Sequence, residues 1–436
     1  MRRTQITTWE PEDEDFWDRT GRRVARRNLV FSIFAEHLGF SVWLLWSAVA
    51  VSLPAAGFPF SVDQLFWLVA VPNLVGAFMR IPYTVAVARF GGRTWTTVSA
   101  ALLLIPIGLM AYCVSTPGTP YWMFVVAAAT AGLGGGNFAS SMANISYFFP
   151  ERRKGFALGV NAAGGNVGVA VVQFAVPLLI GTGLVLRNAP LFWLLPVVVA
   201  AVCAWLFMDD LAVARARVGE LAGALRSRHT WVMSWLYIGT FGSFIGYSAA
   251  LPLLIRSQFP EVGGVLYAAL GPLVGSLSRP VGGWLSDRVG GAKVTAATFA
   301  VMGLGVCSLL VALSAHAFGP FLGSFLVLFM ASGVGNGSTY RMIPAIFRVE
   351  AERAGEPAAT GRARAASVIG LAAAIGAFGG FLIPRGFGMS LTATGSITPA
   401  LVVFLTGYAT CLVVTWWFYL RTVLVRVSPS LAGAVV

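Results

Sequence analysis

The stretch that decides the fold is residues 131–168, AGLGGGNFASSMANISYFFPERRKGFALGVNAAGGNVG. Two glycine-rich apolar segments, within 121–149 and 155–181, lie on either side of the charged cluster 151–154. An α-helix needs about 20 apolar residues to cross the hydrocarbon core of a bilayer. Both segments reach that length, so the stretch predicts two membrane-spanning helices joined by a short polar turn.

The same alternation of apolar segments and polar turns continues along all 436 residues. Hydrophobic residues make up 57% of the chain and charged residues 11%, whereas a soluble domain averages roughly 45–50% apolar and about 25% charged residues. This composition excludes a disordered chain, a soluble enzyme and a small disulfide scaffold. Twelve spans are predicted, at residues 28–53, 65–88, 95–115, 121–149, 155–181, 189–208, 231–255, 263–286, 293–315, 319–347, 365–389 and 398–420.

A long polar interruption after the sixth span divides the chain into two groups of six helices. The predicted organisation is an amino-terminal segment (1–27), a first six-helix bundle (28–208), a central loop (209–230), a second six-helix bundle (231–420) and a tail (421–436). The amino-terminal segment is polar for its whole length, so no cleavable signal peptide is predicted.

The net charge of +13 invites a nucleic-acid interpretation, but the positions of the charges explain it differently. Of the 30 Lys and Arg residues, 24 fall in the termini and loops on one predicted side of the membrane. Three others, Arg187, Arg256 and Arg385, fall on the other side. By the positive-inside rule the basic side is cytoplasmic, and both termini lie there. No nucleic-acid partner is needed.

The last three basic residues, Arg80, Arg279 and Arg341, lie inside predicted spans, and Glu36 is the one acidic residue clearly inside a span. A charge at the centre of a membrane helix costs at least about 2.5–3.5 kcal/mol on insertion scales. These four residues are therefore candidates for function.

An internal repeat relates the two halves. The motif LVGxxxR occurs at 74–80 and 273–279, and RxGG at 89–92 and 288–291, both 199 residues apart. A GxGxG pattern in the fourth span recurs in the tenth, 201 residues later. Parallel repeats of this kind place a substrate site near the membrane midplane, between the halves. The repeat therefore predicts that Arg80 and Arg279 face each other across a pseudo-twofold axis.

Enzyme and redox functions find no support in the sequence. The four cysteines are far apart within apolar stretches, and the three histidines, His37, His229 and His316, form no metal, haem or nucleophile–base arrangement. We expect no enzymatic activity, no cofactor and no metal.

Residues Gly283, Asp287, Arg288 and Gly290 form a pattern that resembles the cytoplasmic loop motif of the major facilitator superfamily, with Ala88 replacing the acid in the first-half copy. The quoted stretch 131–168, with 74–93 (LVGAFMRIPYTVAVARFGGR) and 236–249 (LYIGTFGSFIGYSA), resembles the NarK-type nitrate/nitrite porters. The resemblance covers essentially the whole chain. It implies an all-α membrane protein with the major facilitator fold, twelve transmembrane helices in two pseudo-symmetric six-helix bundles, located in the bacterial inner membrane.

The resemblance implies that Arg80 and Arg279 bind nitrate or nitrite, because a guanidinium is planar and offers two parallel hydrogen bonds to an oxyanion. It places Phe138, Tyr237 and Phe241 around the anion. Tyr83, one turn beyond Arg80, is expected to order that guanidinium, and Asn166 to hydrogen-bond the substrate or an arginine. Structural alternatives are snorkelling or interhelical arginines and core aromatic residues.

The resemblance also marks two glycine-dense signature segments, in the fifth and eleventh spans. Small residues let helices approach and slide, so these glycines are expected to serve packing and motion. They include Gly164, Gly165, Gly168, Gly376 and Gly379.

Glu36 and His37 lie about nine residues into the first span, and Arg341 lies at a similar depth in the tenth. Burial favours the protonated form of a carboxylic acid, and histidine titrates near neutrality. We expect Arg341 to pair with Glu36 and protonation of Glu36 to loosen a gate. A static buried ion pair is the alternative.

Two coupling schemes are compatible with the sequence, nitrate/proton symport and electroneutral nitrate/nitrite exchange, and Glu36 and His37 favour symport. An anion channel, or a facilitator for another small anion, is a remote alternative. The expected partners are nitrate, nitrite, protons and the lipid bilayer, and the expected state is a monomer. The sequence does not distinguish nitrate assimilation from nitrate respiration.

Overall fold

A computed structural model of the chain describes residues 5–181, 185–212, 223–263, 265–422, 430–432 and 436. Almost all of these residues are helical, and the extended pairing found among them is a single bridge between Ile6 and Leu211. Five residues of the predicted charge asymmetry lie outside the described ranges: Arg2, Arg3, Arg215, Arg217 and Arg426.

Twelve long helices follow one another along the described chain, and they confirm the predicted fold class. They are α1 (Glu14–Trp43 and Leu45–Ser52), α2 (Val62–Phe90), α3 (Gly92–Ser115), α4 (Tyr121–Phe148), α5 (Glu151–Gly181), α6 (Asn188–Phe207), α7 (Arg228–Gln258), α8 (Leu270–Val289), α9 (Gly291–Ser314), α10 (Phe318–Arg353), α11 (Thr360–Thr394) and α12 (Thr398–Leu420). Ten are long and apolar enough to cross a membrane, and α1, whose two parts meet at 41°, makes an eleventh. α8 is less apolar because nine of its 20 residues are Gly, Ser or Pro.

The internal repeat is visible in how the helices pack. α2 packs against α4, and α8 packs against α10 at equivalent positions. A Cβ atom on Gly132 would overlap Gly76 in the first pair, and one on Gly333 would overlap Gly275 in the second. Such close approach of two backbones is possible only where a side chain is missing. The repeated glycines of the sequence therefore set the same helix–helix distance in both halves.

The ends of α2 and α8 show the same correspondence. α2 begins with a capping box, in which Ser61 Oγ accepts the Gln64 N–H at 3.2 Å and Gln64 Oε1 accepts the Ser61 N–H at 2.9 Å. Both helices end at a glycine with positive φ, +89° at Gly91 and +96° at Gly290. This backbone conformation favours glycine, which explains why the RxGG motif occurs in both halves.

The bundle has two ends. The connections α2–α3, α4–α5, α8–α9 and α10–α11 lie at one end, here called the basic end, and the connections α1–α2, α3–α4, α7–α8 and α11–α12 lie at the opposite end. α2 of the first half and α11 of the second half run antiparallel along the seam between the halves. At the opposite end Arg385 Nη1 lies 2.8 Å from Asp63 Oδ1, and the rings of Trp67 and Phe381 are 5.8 Å apart. These contacts hold the opposite end of the seam together.

The amino-terminal segment is more structured than its polar sequence suggests, and helix α1 begins at Glu14 instead of residue 28. Trp9 and Trp17 are buried against the basic end of α4 and α5. Glu12 Oε1 accepts the backbone N–H of Glu151 at 2.9 Å, which satisfies a free donor at the start of α5. The segment thus anchors the α4–α5 turn.

Candidate functional site

Arg80 lies about two-thirds of the way along α2 and is fully buried, with no exposed surface. Its Nε donates to the Gly135 carbonyl at 3.2 Å, and its Nη1 donates to the Ala373 carbonyl at 2.7 Å. The rings of Phe138 and Phe241 each lie 4.7 Å from its Cζ atom. These partners belong to both halves, so Arg80 sits in the seam with its guanidinium held in a fixed orientation.

Arg279, the repeat-related residue of α8, is also buried, with 4% exposure. Its Nη2 donates to the Tyr237 hydroxyl at 3.2 Å. Its Cζ atom lies 5.0 Å from the ring of Tyr340 and 5.5 Å from that of Phe138. Because Phe138 contacts Arg80 as well, the structure brings the two guanidiniums, hereafter the arginine pair, to one place between the halves.

Four aromatic rings form a cage around the arginine pair: Phe138, Tyr237, Phe241 and Tyr340. Tyr237 stacks on Phe241 with a centroid distance of 5.3 Å and an interplanar angle of 7°, and Phe138 stacks on Phe241 at 5.9 Å and 26°. Tyr340 closes the cage 5.2 Å from Tyr237. The three aromatic residues singled out from the sequence thus lie together against the arginines.

The arginine pair has unused hydrogen-bond donors. Arg80 Nη2 and Arg279 Nη1 have no hydrogen-bond partner among the described residues, and neither guanidinium lies within ion-pair distance of a described carboxylate. Burying an uncompensated cation is costly, so two cations with free N–H groups form an environment that favours an anion.

Glu36 lies on α1, 1% exposed, in a cluster of neutral polar groups. Its Oε2 accepts from Asn161 Nδ2 at 2.7 Å, and that nitrogen lies 2.6 Å from Ser141 Oγ. Its Oε1 has no hydrogen-bond partner among the described residues. The neighbouring His37 places Nδ1 3.2 Å from the carbonyl oxygen of Gly164. Both coupling candidates therefore lie on the α1–α5 contact.

The predicted ion pair between Arg341 and Glu36 is wrong. Arg341 Nε donates to the Asp287 carboxylate of α8, and 54% of the Arg341 side chain is exposed. Successive residues of a helix point about 100° apart, and the preceding residue, Tyr340, occupies the direction that faces the cage. Arg341 therefore points toward α8, where the acid of the loop motif is its partner.

Other residues of the loop motif have local roles. The Arg288 Cζ atom lies 4.0 Å from the Trp284 ring, Gly290 makes the α8–α9 turn, and Gly283 has open space beside it. None of these residues contacts the arginine pair.

Two further predicted residues differ from expectation. The Tyr83 ring packs edge-on against Trp95 at 4.9 Å, and its hydroxyl has no partner among the described residues, so Tyr83 does not order the Arg80 guanidinium. Three residues beyond Arg80, it points toward α3 and α4. Asn166 is buried, but its amide has no hydrogen-bond partner among the described residues and does not bond either arginine.

The signature glycines make close contacts within each half. A Cβ atom added to any of them would overlap a neighbouring helix. In the first half Gly164, Gly165 and Gly168 of α5 meet Ile33, Glu36 and the His37 backbone of α1, and in the second Gly376 and Gly379 of α11 meet Tyr237 and Gly242 of α7. The glycines thus bring α5 onto Glu36 of α1 and α11 onto α7, where Tyr237 contacts Arg279.

Three residues of the site were missed by the sequence argument: Trp43, Asn161 and Tyr340. A signal for Trp43 existed, because the dipeptides SA and FP at 47–48 and 58–59 recur at 248–249 and 259–260, an offset of 201. That register makes Trp43 the counterpart of Phe244, and the two rings cover Gly76 and Gly275 respectively. The indole of Trp43 lies 5.5 Å from the Arg80 Cζ atom.

Comparison with known proteins identifies the family of the chain. Residues 31–384 match the model of the Major Facilitator Superfamily. The chain is 42% identical to the nitrate/nitrite transporter NarU of Salmonella typhimurium, over 95% of this chain and 96% of NarU. It is 39% identical to the probable nitrate/nitrite antiporter NarK2 of Thermus thermophilus, over 96% and 97% of the two chains.

The fold agrees with solved structures. The crystal structure of a D-xylose-proton symporter superposes with a TM-score of 0.68 at 16% identity, over 90% of this chain and 97% of that one. At this identity the match reports the fold alone. Together with the relatives above it indicates a multi-pass membrane transporter and not an enzyme. The chain belongs to the major facilitator superfamily and, within it, to the NarK-type nitrate/nitrite porter family.

Proposed function

We propose that the protein is a secondary transporter that moves nitrate and nitrite by alternating access, with the anion clamped between Arg80 and Arg279. The observation that carries the proposal is the arginine pair itself: two buried guanidiniums with unpartnered N–H groups meet at one aromatic ring. The names of the relatives, nitrate/nitrite transporter and antiporter, support the choice of anion.

The chemistry of the cage fits a small planar oxyanion. Each guanidinium offers N–H donors in one plane, a geometry that matches two oxygens of a trigonal anion. The stacked rings of Tyr237 and Phe241 form a flat wall. A planar ion lies against such a wall, whereas a tetrahedral ion such as sulfate has an oxygen projecting from every face.

The position of the pair explains how one site can serve both sides of a membrane. Arg80 comes from the first half and Arg279 from the second, so an anion between them links the halves at their centre. The halves can rock about this point and open either end. We propose that the basic end and both termini are cytoplasmic, in a bacterial inner membrane, and that a monomer surrounded by lipid is the transport unit.

Coupling to protons is the favoured energy source. Import of a monovalent anion against a negative-inside potential costs about 2.3 kcal/mol per 100 mV, which symport with protons can overcome. The buried Glu36 carboxyl, with His37 beside it, supplies a group that can carry a proton next to the anion. Nitrate/nitrite exchange, the activity named for the Thermus relative, is the alternative.

Transport into proteoliposomes tests the proposal when the pH gradient, the membrane potential and internal nitrite are varied independently. Symport predicts nitrate uptake that rises with an inward proton gradient in the absence of internal nitrite. Uptake that depends on internal nitrite and ignores the pH gradient would refute symport and support exchange. Arg80→Lys and Arg279→Lys should abolish both modes, because lysine lacks the planar fork, while the exposed Arg256→Lys serves as the control. Full transport by either site variant would refute the clamp.

A further inference from the structure

Glu36 and the arginine pair lie in one buried region, because Phe40, one turn after Glu36 on α1, packs 6.0 Å from Phe138, the ring that contacts both guanidiniums. We propose that Glu36 takes up a proton when an anion occupies the arginine pair, and that Asn161 is the residue that positions Glu36 for this exchange. The inference rests on the proposed function and concerns how the two ligands of the same site depend on each other.

The charges around Glu36 are few and can be named. Arg80 from α2 and Arg279 from α8 act on it as cations, and His37 is its neighbour on α1. The groups of helices α4 and α5 that touch Glu36 directly are neutral, among them Asn161 and the Gly165 backbone. No described basic side chain forms an ion pair with the carboxylate. Burial favours the protonated form of the carboxyl group, and the arginine pair supplies the positive charges that oppose it.

An anion between the arginines changes that balance. In the unloaded site two guanidinium charges attract the Glu36 carboxylate and oppose its protonation. A bound anion offsets one of these charges at close range, in a buried region where electrostatic interactions are weakly screened. Glu36 then binds a proton more readily. Because coupling between two ligands is reciprocal, a proton on Glu36 must strengthen anion binding by the same factor.

The internal repeat supplies independent support for this placement. The offset of 201 that pairs Trp43 with Phe244 also pairs Glu36 with Tyr237. Tyr237 offers a neutral hydroxyl, which accepts a hydrogen bond from Arg279. A protonated Glu36 likewise presents a neutral hydroxyl at the equivalent place on α1. The two halves then match in charge when Glu36 is protonated and differ by one negative charge when it is not.

Asn161 holds one side of the carboxyl group and leaves the other free. Its Nδ2 donates to Glu36 Oε2 at 2.7 Å and lies 2.6 Å from Ser141 Oγ, which itself lies 2.8 Å from Ser32 Oγ. Glu36 Oε1 has no partner among the described residues. An amide donor stabilises the carboxylate over the acid. Asn161 therefore favours the carboxylate, as the arginine pair does, and opposes the burial that favours the acid.

The test is calorimetric titration of the purified full-length transporter with sodium nitrate over a range of pH. Two buffers of different ionisation enthalpy report the protons taken up per anion bound. We expect uptake approaching one proton per nitrate in the middle of the transition, and an affinity that rises up to about tenfold per pH unit as the pH falls. Glu36→Gln should bind nitrate with no proton uptake and with an affinity independent of pH.

Each outcome has one interpretation. If wild type binds no nitrate, the proposed function fails. If wild type binds nitrate without proton uptake, or if uptake persists in Glu36→Gln, the linkage to Glu36 is refuted. If His37→Asn removes the uptake and Glu36→Gln does not, the proton site is His37 and the inference is overturned.

Asn161 is tested as a positioning residue by the pH profile. Asn161→Ala should shift the midpoint of the affinity profile to higher pH, because the acid form is no longer disfavoured, while affinity at the acidic plateau stays within about threefold of wild type. Asn161→Ser, which restores a donor, should move the midpoint back toward wild type. An unchanged midpoint in a folded Asn161→Ala protein would refute the positioning role.

Discussion

The contacts between α2 and α11 at the opposite end of the seam predict how the transporter divides its time between closed and open states of that end. The side chains of Arg385 and Asp63 are 12% and 33% exposed, and the Arg385 Cζ atom lies 4.2 Å from the Trp67 ring. Because these residues belong to different halves, the proposed rocking of the halves breaks their contacts when the opposite end opens. Replacing Arg385 with Gln should therefore favour opening.

The size of the effect follows from the two interactions lost. A partly exposed ion pair contributes about 0.5–1 kcal/mol, and a cation on an indole face contributes a further ~0.5–1 kcal/mol. Arg385→Gln removes both, about 1–2 kcal/mol in all, which shifts the closed–open equilibrium roughly 5- to 30-fold. Asp63→Asn removes the ion pair alone and should shift it only about 2- to 5-fold.

The assay uses a cysteine at position 66, where Phe66 is buried in the seam against Gly388. In a chain whose four native cysteines are replaced, a membrane-impermeant maleimide reaches Phe66→Cys only when the opposite end opens, so the labelling rate reports the open fraction. The exchanged pair Asp63→Arg with Arg385→Asp should restore slow labelling.

Glu352→Gln, which breaks the Arg348–Glu352 pair within one half, is the matched control. Labelling of Arg385→Gln at the parent rate, or equal labelling in Arg385→Gln and Asp63→Asn, would refute the reasoning.

Three further predictions follow from the site. Gly165→Ala should suppress proton-dependent uptake, because a Cβ atom there overlaps the Glu36 carboxyl, whereas Gly159→Ala, with open space beside it, should transport normally in the same flux assay. Phe138→Leu should weaken nitrate binding about 3- to 30-fold in equilibrium titration, since one ring contacts both guanidiniums; unchanged affinity would exclude that ring from the site. Arg341→Gln should leave the pH dependence of uptake unaltered, because Arg341 pairs with Asp287, and a displaced pH profile would contradict this pairing.

The fold was predictable because it depends on patterns that extend over many residues. Apolar length, loop charge and the 199-residue repeat each average over a whole span, and all twelve predicted spans correspond to helices among the described residues. The meeting of Arg80 and Arg279 followed from the same repeat, since equivalent positions in two halves approach one axis. These inferences needed only the order and spacing of residues.

The direction of an individual side chain depends on helix phase and on neighbours distant in sequence, which spacing does not supply. Arg341 has the right depth to meet Glu36, but its position one residue after Tyr340 turns it toward Asp287. Tyr83 follows Arg80 by three residues, yet its ring fills the space beside Trp95. The hydrogen bond from Asn161 to Glu36 depends on how α5 packs against α1, which residue spacing does not specify.

The arginine pair also has a consequence for what the protein must not carry. A bacterial membrane stores energy as gradients of protons and metal cations, and a carrier that opens to both sides in turn is a potential leak for them. Two buried guanidiniums at the centre of the pathway form a standing electrostatic barrier to any cation, as positive groups do in water channels. A bound anion offsets part of that charge, so in the proposed cycle a proton enters the site more readily when the anion is present. Replacing both arginines with neutral residues should therefore stop anion transport and also let protons and metal cations leak through the carrier.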